Sequence, residues 1–526
     1  MPQENTIPPR GIIPPIPMTQ MPAQQNSRRA RWNRRLMSGV AAGITSLPDW
    51  FATYAVATYA VALFGVNLMF SNYAMEWYFW LFGLAWVAGF FFLSVKFSQE
   101  WSVLHIKSHR LFEKKLFWTG FAIRLAYAIF IYFFYLEMTG KPFEFATADA
   151  ESYVEVARDW ALYWQNGHLW QTLVDTATHS GYSDMGYPLL LLIPMRLFDS
   201  NFGILFTRWI NAFFGAYTAV FVYRLTRRSM GETTARMAAI FCMLHPVLIC
   251  YTGFTLKEVF MTWLVVLFVN LTDRLLRSRK YNFATIAPIV LTGGVLFFFR
   301  TVLGMVAFLA LFAALVLMSS KIVSAGRKII MGLIIGSILM FSASDKILRD
   351  METITDTDVV EVQKNTMVKR YGSEKDSKTI TGNSFANYAG AAVFAPLIFT
   401  IPFPTMVTAI EGQEDMRLIH GGNWMRNVMS GFVILAMFML LLSGDWRNYT
   451  LPLAIELGYL LVLMFSAFAQ SLRFHIPVMP FEMMFAAYAI TNMRKRHRNW
   501  YLIWCILCIA MCFAWNWFKL AGRGLA

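Results

Sequence analysis

The residues of this sequence that are best suited to chemistry lie in a polar and aromatic stretch between two long apolar runs, residues 137–200. Asp149 stands there between two alanines, and Tyr153 follows four positions later. A partly desolvated carboxylate can act as a general base that takes the proton of a hydroxyl group. Asp149 equally suits the N-cap of the helix that the following residues predict, because a carboxylate accepts hydrogen bonds from the free backbone N–H groups there.

Other ionisable residues occur at the ends of later apolar runs, where such groups are costly and usually face a cavity or a partner. They are Lys257, Glu258, Arg300, Arg473 and His475. The topology that the basic loops predict puts these residues at the outer ends of spans, so we expect them to form, with Asp149 and Tyr153, one outward-facing polar pocket that binds the substrate.

Each of these residues also has a simpler interpretation. Arg300 suits bidentate recognition of a phosphate, but an arginine between apolar residues also snorkels to the membrane interface. Lys257 and Glu258 either pair with other charged groups or line the pocket. Arg473 and His475 favour contact with phosphate or sugar, and they point to the same side only if their segment is extended or turned.

The composition of the whole chain indicates a membrane protein. Of its 526 residues 57% are apolar and 15% are charged, and the mean hydropathy is +0.47. About thirteen apolar runs are long enough to cross a bilayer as helices, so we expect an all-α polytopic protein. The formal charge of +15 comes largely from Lys and Arg in short loops, which favours contact with anionic lipid headgroups over nucleic acid.

The basic loops predict the topology. The arginine-rich stretch at 28–35 precedes the first apolar run, which places the N-terminus in the cytoplasm and residues 137–200 on the outer face. Five regions follow from this assignment. They are a Pro-rich then Arg-rich tail (1–50), two helices with a basic inner loop (51–116), a core of membrane helices (117–343), a second outer loop (344–425) and C-terminal membrane helices (426–526).

The second outer loop contains an apolar segment at 386–410 that is interrupted by Pro396, Pro402 and Pro404. Proline breaks a spanning helix, so a re-entrant or surface segment is favoured over a span. The five cysteines lie inside apolar runs without metal-ligand spacing. We therefore expect no cofactor; a divalent metal is chemically conceivable, but no carboxylate or histidine cluster supports one.

Several motifs, in this order along the chain, resemble those of the GT-C class of polyprenyl-phosphate-dependent membrane glycosyltransferases. That class includes protein O-mannosyltransferases and the aminoarabinose transferases of lipid A. The motifs are the acid-to-tyrosine element 149–153, Gly-Tyr-Pro at 186–188, RWINAFFGAYTAVFVYRLTRR, HPVLICYTGFTLKE and RFHIPVMP. The resemblance covers roughly residues 117–492. Two departures are the extra helices before residue 117 and the absence of the acid pair typical of protein O-mannosyltransferases.

The resemblance implies that Asp149 is the catalytic aspartate of the first outer loop, acting as general base, and that Arg300, Arg473 and His475 contact the donor phosphate. The expected reaction moves a sugar from a polyprenyl-phosphate carrier to a hydroxyl of a glycolipid, glycan or protein, with inversion. We expect it on the periplasmic face of a bacterial inner membrane. Two alternatives stay open: a glycan polymerase or ligase of the O-antigen type, and a transporter or flippase for lipid-linked sugars. A transferase that depends on a general base requires Asp149 for activity, whereas a ligase or flippase could rely on its Arg and His residues.

Overall fold

The computed structural model describes residues 45–145, 148–179, 182–198, 200–278, 282–318, 403–408, 414–464, 471–493, 498–521 and 525. Within these ranges the chain is helical and forms no strand; Ala74 and Val407 make an isolated bridge. Residues 319–343 of the predicted core and most of the predicted second outer loop, including most of 386–410, lie outside the described residues.

Eighteen α-helices occur in the described part of the chain. They are α1 (Asp49–Met69), α2 (Trp77–Glu100), α3 (His109–Thr139), α4 (Ala148–Gln165), α5 (Leu169–His179), α6 (Gly186–Leu197), α7 (Ser200–Met230), α8 (Glu232–Leu244), α9 (Pro246–Cys250), α10 (Glu258–Ser278), α11 (Phe283–Phe299), α12 (Thr301–Met318), α13 (Glu414–Leu418), α14 (His420–Ser443), α15 (Thr450–Met464), α16 (Leu472–His475), α17 (Met479–Asn492) and α18 (Arg498–Ala521).

Seven of these helices are long and apolar enough to cross a membrane: α1, α2, α3, α7, α10, α14 and α18. Helix α8 and the turn that follows it make an eighth candidate, bent by 51°. The protein is therefore a multi-pass, all-α membrane protein, as the composition predicts. Helices α11 and α12 are shorter apolar helices, and the number of thirteen spans stays a prediction.

The bend after α8 has a clear origin in the sequence. Pro246 has no N–H group and its ring blocks a continuous helix, which leaves carbonyl groups at the end of α8 without helical partners. Arg124 of α3 donates to the carbonyl oxygens of Cys242 and Met243, at 3.0 and 2.9 Å. A cation at the C-terminal end of a helix also opposes the negative end of the helix dipole. The buried arginine thus joins α3 to the broken span.

The two helices that precede residue 117 are part of the same bundle. The Tyr59 hydroxyl of α1 donates to Nδ1 of His420, at 2.7 Å, and Nε2–H of the same ring donates to the Phe79 carbonyl, at 2.8 Å. Gly83 makes this contact possible, because a Cβ at this position would lie 1.9 Å from the Tyr59 oxygen. The polar chain fixes α1 and α2 against α14.

A second buried polar contact links α14, α16 and α17. Arg426 donates to both carboxylate oxygens of Glu482, at 3.1 and 2.8 Å, and also to Nδ1 of His475, at 2.7 Å. All three side chains are at most 2% exposed. In an apolar environment such a bidentate pair is strong because both charged groups are satisfied. It therefore fixes one side of the short helix α16.

Helices α4, α5 and α6 lie between the end of α3 and the start of α7, so they belong to one end of the bundle. The starts of α10 and α14 and the short helix α16 share that end, which we call the site end. Ion pairs of basic residues near the helix ends mark the opposite end, where Arg224 pairs with Glu113 and Arg228 with Asp273. The orientation of the two ends relative to the membrane stays a prediction.

Replacing Gly83 with Ala is expected to destabilise the protein, because the new methyl group collides with Tyr59 and with His420. Overpacking of this kind typically costs about 1–3 kcal/mol. Gly89→Ala is the matched control on the same helix, since nothing lies within 4 Å of its added Cβ. Thermal denaturation in detergent should show a lower midpoint for the first variant only. Equal midpoints for the two variants would contradict the packing described.

Candidate functional site

Asp149 occupies the first turn of α4. This helix begins at Ala148, so Asp149 lies inside the helix and is not its N-cap residue, which corrects that interpretation of the sequence. Its carboxylate accepts a hydrogen bond from the Arg473 guanidinium, and its side chain is 58% exposed. A carboxylate in the first turn is also favoured by the helix dipole. Asp149 therefore presents an accessible oxygen acceptor at the site end.

Arg473 of α16 bridges two carboxylates. Nη1 donates to Asp149, while Nε donates to Glu258 at the start of α10. Glu258 is fully buried, and the Arg473 side chain is only 18% exposed. Burial by itself lowers the pKa of Arg473, but the Glu258 and Asp149 carboxylates more than offset that effect and raise it above its ordinary value. The guanidinium therefore stays charged and holds three distant segments together.

Lys257 and Tyr153 lie beside this bridge. The Lys257 ammonium is paired with the Asp184 carboxylate and lies 5.9 Å from the centre of the Tyr153 ring. Asp184 was not among the residues selected from the sequence. It has a φ of +75°, a conformation that non-glycine residues rarely adopt and that often marks functional sites. Its signal in the sequence is the turn-forming stretch GYSDMGY inside 137–200.

Arg300 occupies the break between α11 and α12, where its backbone is extended. Its Nη1 donates to the Tyr459 hydroxyl, at 3.0 Å, and its guanidinium carbon lies 4.3 Å from the centre of the Phe474 ring. No carboxylate in the described part of the chain forms an ion pair with it. Its positive charge is therefore balanced less completely than that of Arg473 or Lys257, which leaves it suited to an anionic substrate group.

His475 follows Arg473 by two positions on the same short turn but points to another side. It is fully buried and accepts a hydrogen bond from Arg426 in the interior of the bundle. Its predicted contact with substrate stays a prediction, and the structure adds no support for it. Six of the seven residues selected from the sequence thus lie among Asp149, Arg473 and their neighbours, and His475 lies behind them.

The segment that leads into α4 holds a carboxylic acid that sequence reasoning missed. Glu144 is 3% exposed. Arg208 of α7 donates to the Pro142 carbonyl, and Asp415 accepts from the Phe145 N–H at 3.2 Å, so the segment is anchored on both sides of Glu144. Burial raises the pKa of the Glu144 carboxyl to about 8. The charge of Asp415 adds to this rise, while the backbone N–H of Glu144 itself and the charge of Arg208 oppose it.

The site contains acids and cations but no evident metal centre within the described residues. No group of three or more His, Cys, Asp or Glu side chains is arranged to hold a metal there, and the five cysteines are free and buried. What the arrangement can do is hold an anionic group at fixed cations and accept a proton at an exposed carboxylate.

The raised pKa of Glu144 predicts a specific dependence of stability on pH. Between its ordinary value of 4.5 and about 8, the folded protein keeps this proton while the unfolded chain loses it. The contribution of Glu144 to stability therefore falls as pH rises through this range and is level above it. Glu144→Gln removes the titration. The melting temperature of the variant, relative to that of the wild type, should therefore increase between pH 6 and 8.

Glu151→Gln is the control for this experiment, because Glu151 lies in the same region and pairs with Lys141 at its surface. Melting curves in detergent across pH 5–9 measure the effect. A constant difference between the Glu144 variant and the wild type over that range would refute the titration.

Comparison with known proteins gives one match. The model of the Alg9-like mannosyltransferase family matches residues 153–360, which is less than half of the chain. The matched region begins at Tyr153 and includes Lys257, Glu258 and Arg300; its part beyond residue 318 lies outside the described helices. No curated protein and no solved structure matches the chain significantly. The motifs, the all-α membrane bundle and this match together identify the chain as a membrane glycosyltransferase of the GT-C type, which uses a lipid-linked sugar donor.

Proposed function

We propose that this glycosyltransferase moves a sugar from a polyprenyl-phosphate carrier to a hydroxyl of a glycolipid, glycan or protein at the outer face of the membrane. Asp149 acts as the general base in this proposal. The observation that carries it is the bridge of Arg473 between Asp149 and Glu258, because it fixes an exposed carboxylate among cations that suit a phosphate.

The reaction follows from these groups. The oxygen of the acceptor hydroxyl attacks the anomeric carbon, and the bond between that carbon and the phosphate oxygen breaks. The electron pair leaves with the polyprenyl phosphate, while the hydroxyl proton passes to Asp149. Attack from the side opposite the phosphate inverts the anomeric centre. The phosphate is already a good leaving group, so the proposal needs neither a strong general acid nor a metal.

Arg300 is the proposed contact for the donor phosphate. Its guanidinium is held by Tyr459 and by the Phe474 ring, so its donors are oriented before substrate binds. Fixed donors aimed at the position where charge develops stabilise the transition state more than mobile ones. Lys257 supplies a second positive charge nearby, although Asp184 already neutralises part of it.

Two further parts of the proposal concern which sugar is transferred and on which face of the membrane. The name of the matched family supports mannose as the transferred sugar. The basic loops support the outer face, because residues such as Arg224 and Arg228 lie at the end of the bundle opposite Asp149, and positive loops favour the cytoplasm. In a bacterium, the proposed location is the inner membrane, with the site facing the periplasm.

Replacing Asp149 with Asn should lower transfer at least a hundred-fold, because general-base catalysis contributes about 10² to 10⁴ in rate. The assay follows radiolabel from polyprenyl-phosphate mannose into the lipid and protein fractions of membranes. Asp159→Asn is the matched control, since Asp159 lies exposed on the same helix. Full activity of the Asp149 variant at equal expression would remove Asp149 from catalysis and favour the ligase or flippase readings.

Replacing Arg300 with Gln should reduce kcat/KM for the same donor by about ten- to a hundred-fold, the size expected for one lost hydrogen bond to a charged group. Arg447→Gln provides the comparison, because Arg447 also lies over an aromatic ring, that of Trp446, but follows α14 at the opposite end. Steady-state kinetics at varied donor concentration measures both. If the two variants behave alike, Arg300 does not contact the donor.

A further inference from the structure

Four buried polar residues gather at the site end of the bundle, and we call them the polar cluster. They are Glu144, Tyr187, Arg208 and Asn211. Glu144 lies between α3 and α4, Tyr187 lies on α6, and the other two lie one turn apart on α7. Each is at most 3% exposed. Four side chains from three separate segments have thus been brought out of solvent at one place.

The polar cluster leaves several of its hydrogen-bonding atoms unused. Neither carboxylate oxygen of Glu144 bonds to another residue in the described chain, and the same holds for Nε and Nη1 of Arg208 and for Oδ1 of Asn211. Arg208 and Glu144 interact electrostatically without a direct hydrogen bond. Buried polar atoms without partners are rare and costly in folded proteins, so a group that satisfies them is expected.

The contacts that do exist orient the cluster. Asn211 donates from Nδ2 to the Phe254 carbonyl, at 3.1 Å, and to the Tyr187 hydroxyl, at 3.4 Å. Arg208 uses its remaining nitrogen on the Pro142 carbonyl. The atoms of Asn211 and Arg208 that lack partners therefore belong to side chains that are already held in place, as in a preorganised binding site.

The polar cluster borders the site at Asp149. The positive charge of Arg473 is one of the influences that lower the pKa of the Glu144 carboxyl, so these two side chains are close enough to interact. The Tyr187 ring also packs edge-on against Tyr153, with their centres 5.4 Å apart. Arg300, the proposed phosphate contact, instead contacts Tyr459 and the Phe474 ring. Phe474, the ring that Arg300 packs against, follows Arg473 on α16, so the proposed phosphate contact lies at the same end of the bundle as the polar cluster.

We propose that the polar cluster binds the hydroxyl groups of the transferred sugar and thereby selects which sugar the enzyme accepts. A sugar hydroxyl both donates and accepts, so it can satisfy the Glu144 carboxyl and the Asn211 oxygen as well as the Arg208 nitrogens. A site built to hydrogen-bond a hydroxyl discriminates strongly against a sugar that lacks it, because the buried partner is then left unpaired. This inference rests on the proposed function.

The test pairs protein variants with donors that lack single hydroxyls. The probes are polyprenyl-phosphate mannose, its 2-, 3-, 4- and 6-deoxy analogues and polyprenyl-phosphate glucose, each assayed with wild type, Glu144→Gln and Asn211→Leu. With mannose, each variant should lose about ten- to a hundred-fold in kcat/KM, mainly through KM. With the analogue that lacks the hydroxyl bound by that residue, the variant and the wild type should differ little, because the two deletions remove the same contact.

A buried water network is the competing explanation for the unused atoms. In that case each variant loses the same factor with every donor, and that result overturns the inference. Glu456→Gln is the matched control, because Glu456 is a fully buried carboxylate on α15 whose oxygens also lack partners among the described residues. It should leave the order of donor preference unchanged.

Melting temperatures show whether each variant is folded, and Tyr187→Phe is used in place of any variant that does not fold. This change removes only the Tyr187 hydroxyl, which accepts from Asn211, and it should still alter the relative kcat/KM for mannose and glucose. The proposed function fails separately, when wild type transfers no sugar from any polyprenyl-phosphate donor or when Asp149→Asn retains activity. A wild type that depends on Asp149, combined with cluster variants of unchanged donor preference, overturns only the sugar-selection inference.

Discussion

The candidate site depends on a single guanidinium. Arg473 connects helix α4, which carries Asp149, with the start of the membrane helix α10, which carries Glu258. Two carboxylates held this close would repel each other without a cation between them, and Glu258 would be a buried charge without a partner. The ion bridge therefore does more than position Asp149, because it also makes the burial of Glu258 possible.

The helix that carries Arg473 is itself fixed by contacts with the interior of the bundle. Arg473 lies on a helix of four residues, and so short a helix has little stability of its own. His475 on the same helix accepts a hydrogen bond from Arg426, which is locked onto Glu482 in the bundle interior. Rigid neighbours of this kind are what keep a functional side chain in one orientation. His475, which the sequence analysis expected to contact the substrate, thus lies on the side of α16 that faces the core.

The chemistry of the site residues was more predictable than their pairing. Lysine, arginine and acid at the ends of apolar runs stand out because charge is costly near a bilayer, so Lys257, Glu258 and Arg300 could be selected from the sequence alone. Asp184 was not selected, since a turn-forming stretch indicates a turn but does not show which charged residue its acid will meet. Glu144 escaped for the same reason, because the residues that bury it come from a helix some sixty positions later and from beyond residue 400.

The sequence by itself determined that this is a helical membrane protein and where several of its spans run, because about twenty apolar residues suffice to fix a span whatever surrounds it. It also determined which residues were candidates for chemistry. Only the tertiary structure decided that Asp149 and Glu258 share Arg473, that Arg300 rests on Tyr459 and an aromatic ring, and that His475 faces inward. Such pairings join residues up to 324 positions apart, and their geometry depends on helix packing, which no local pattern of residues encodes.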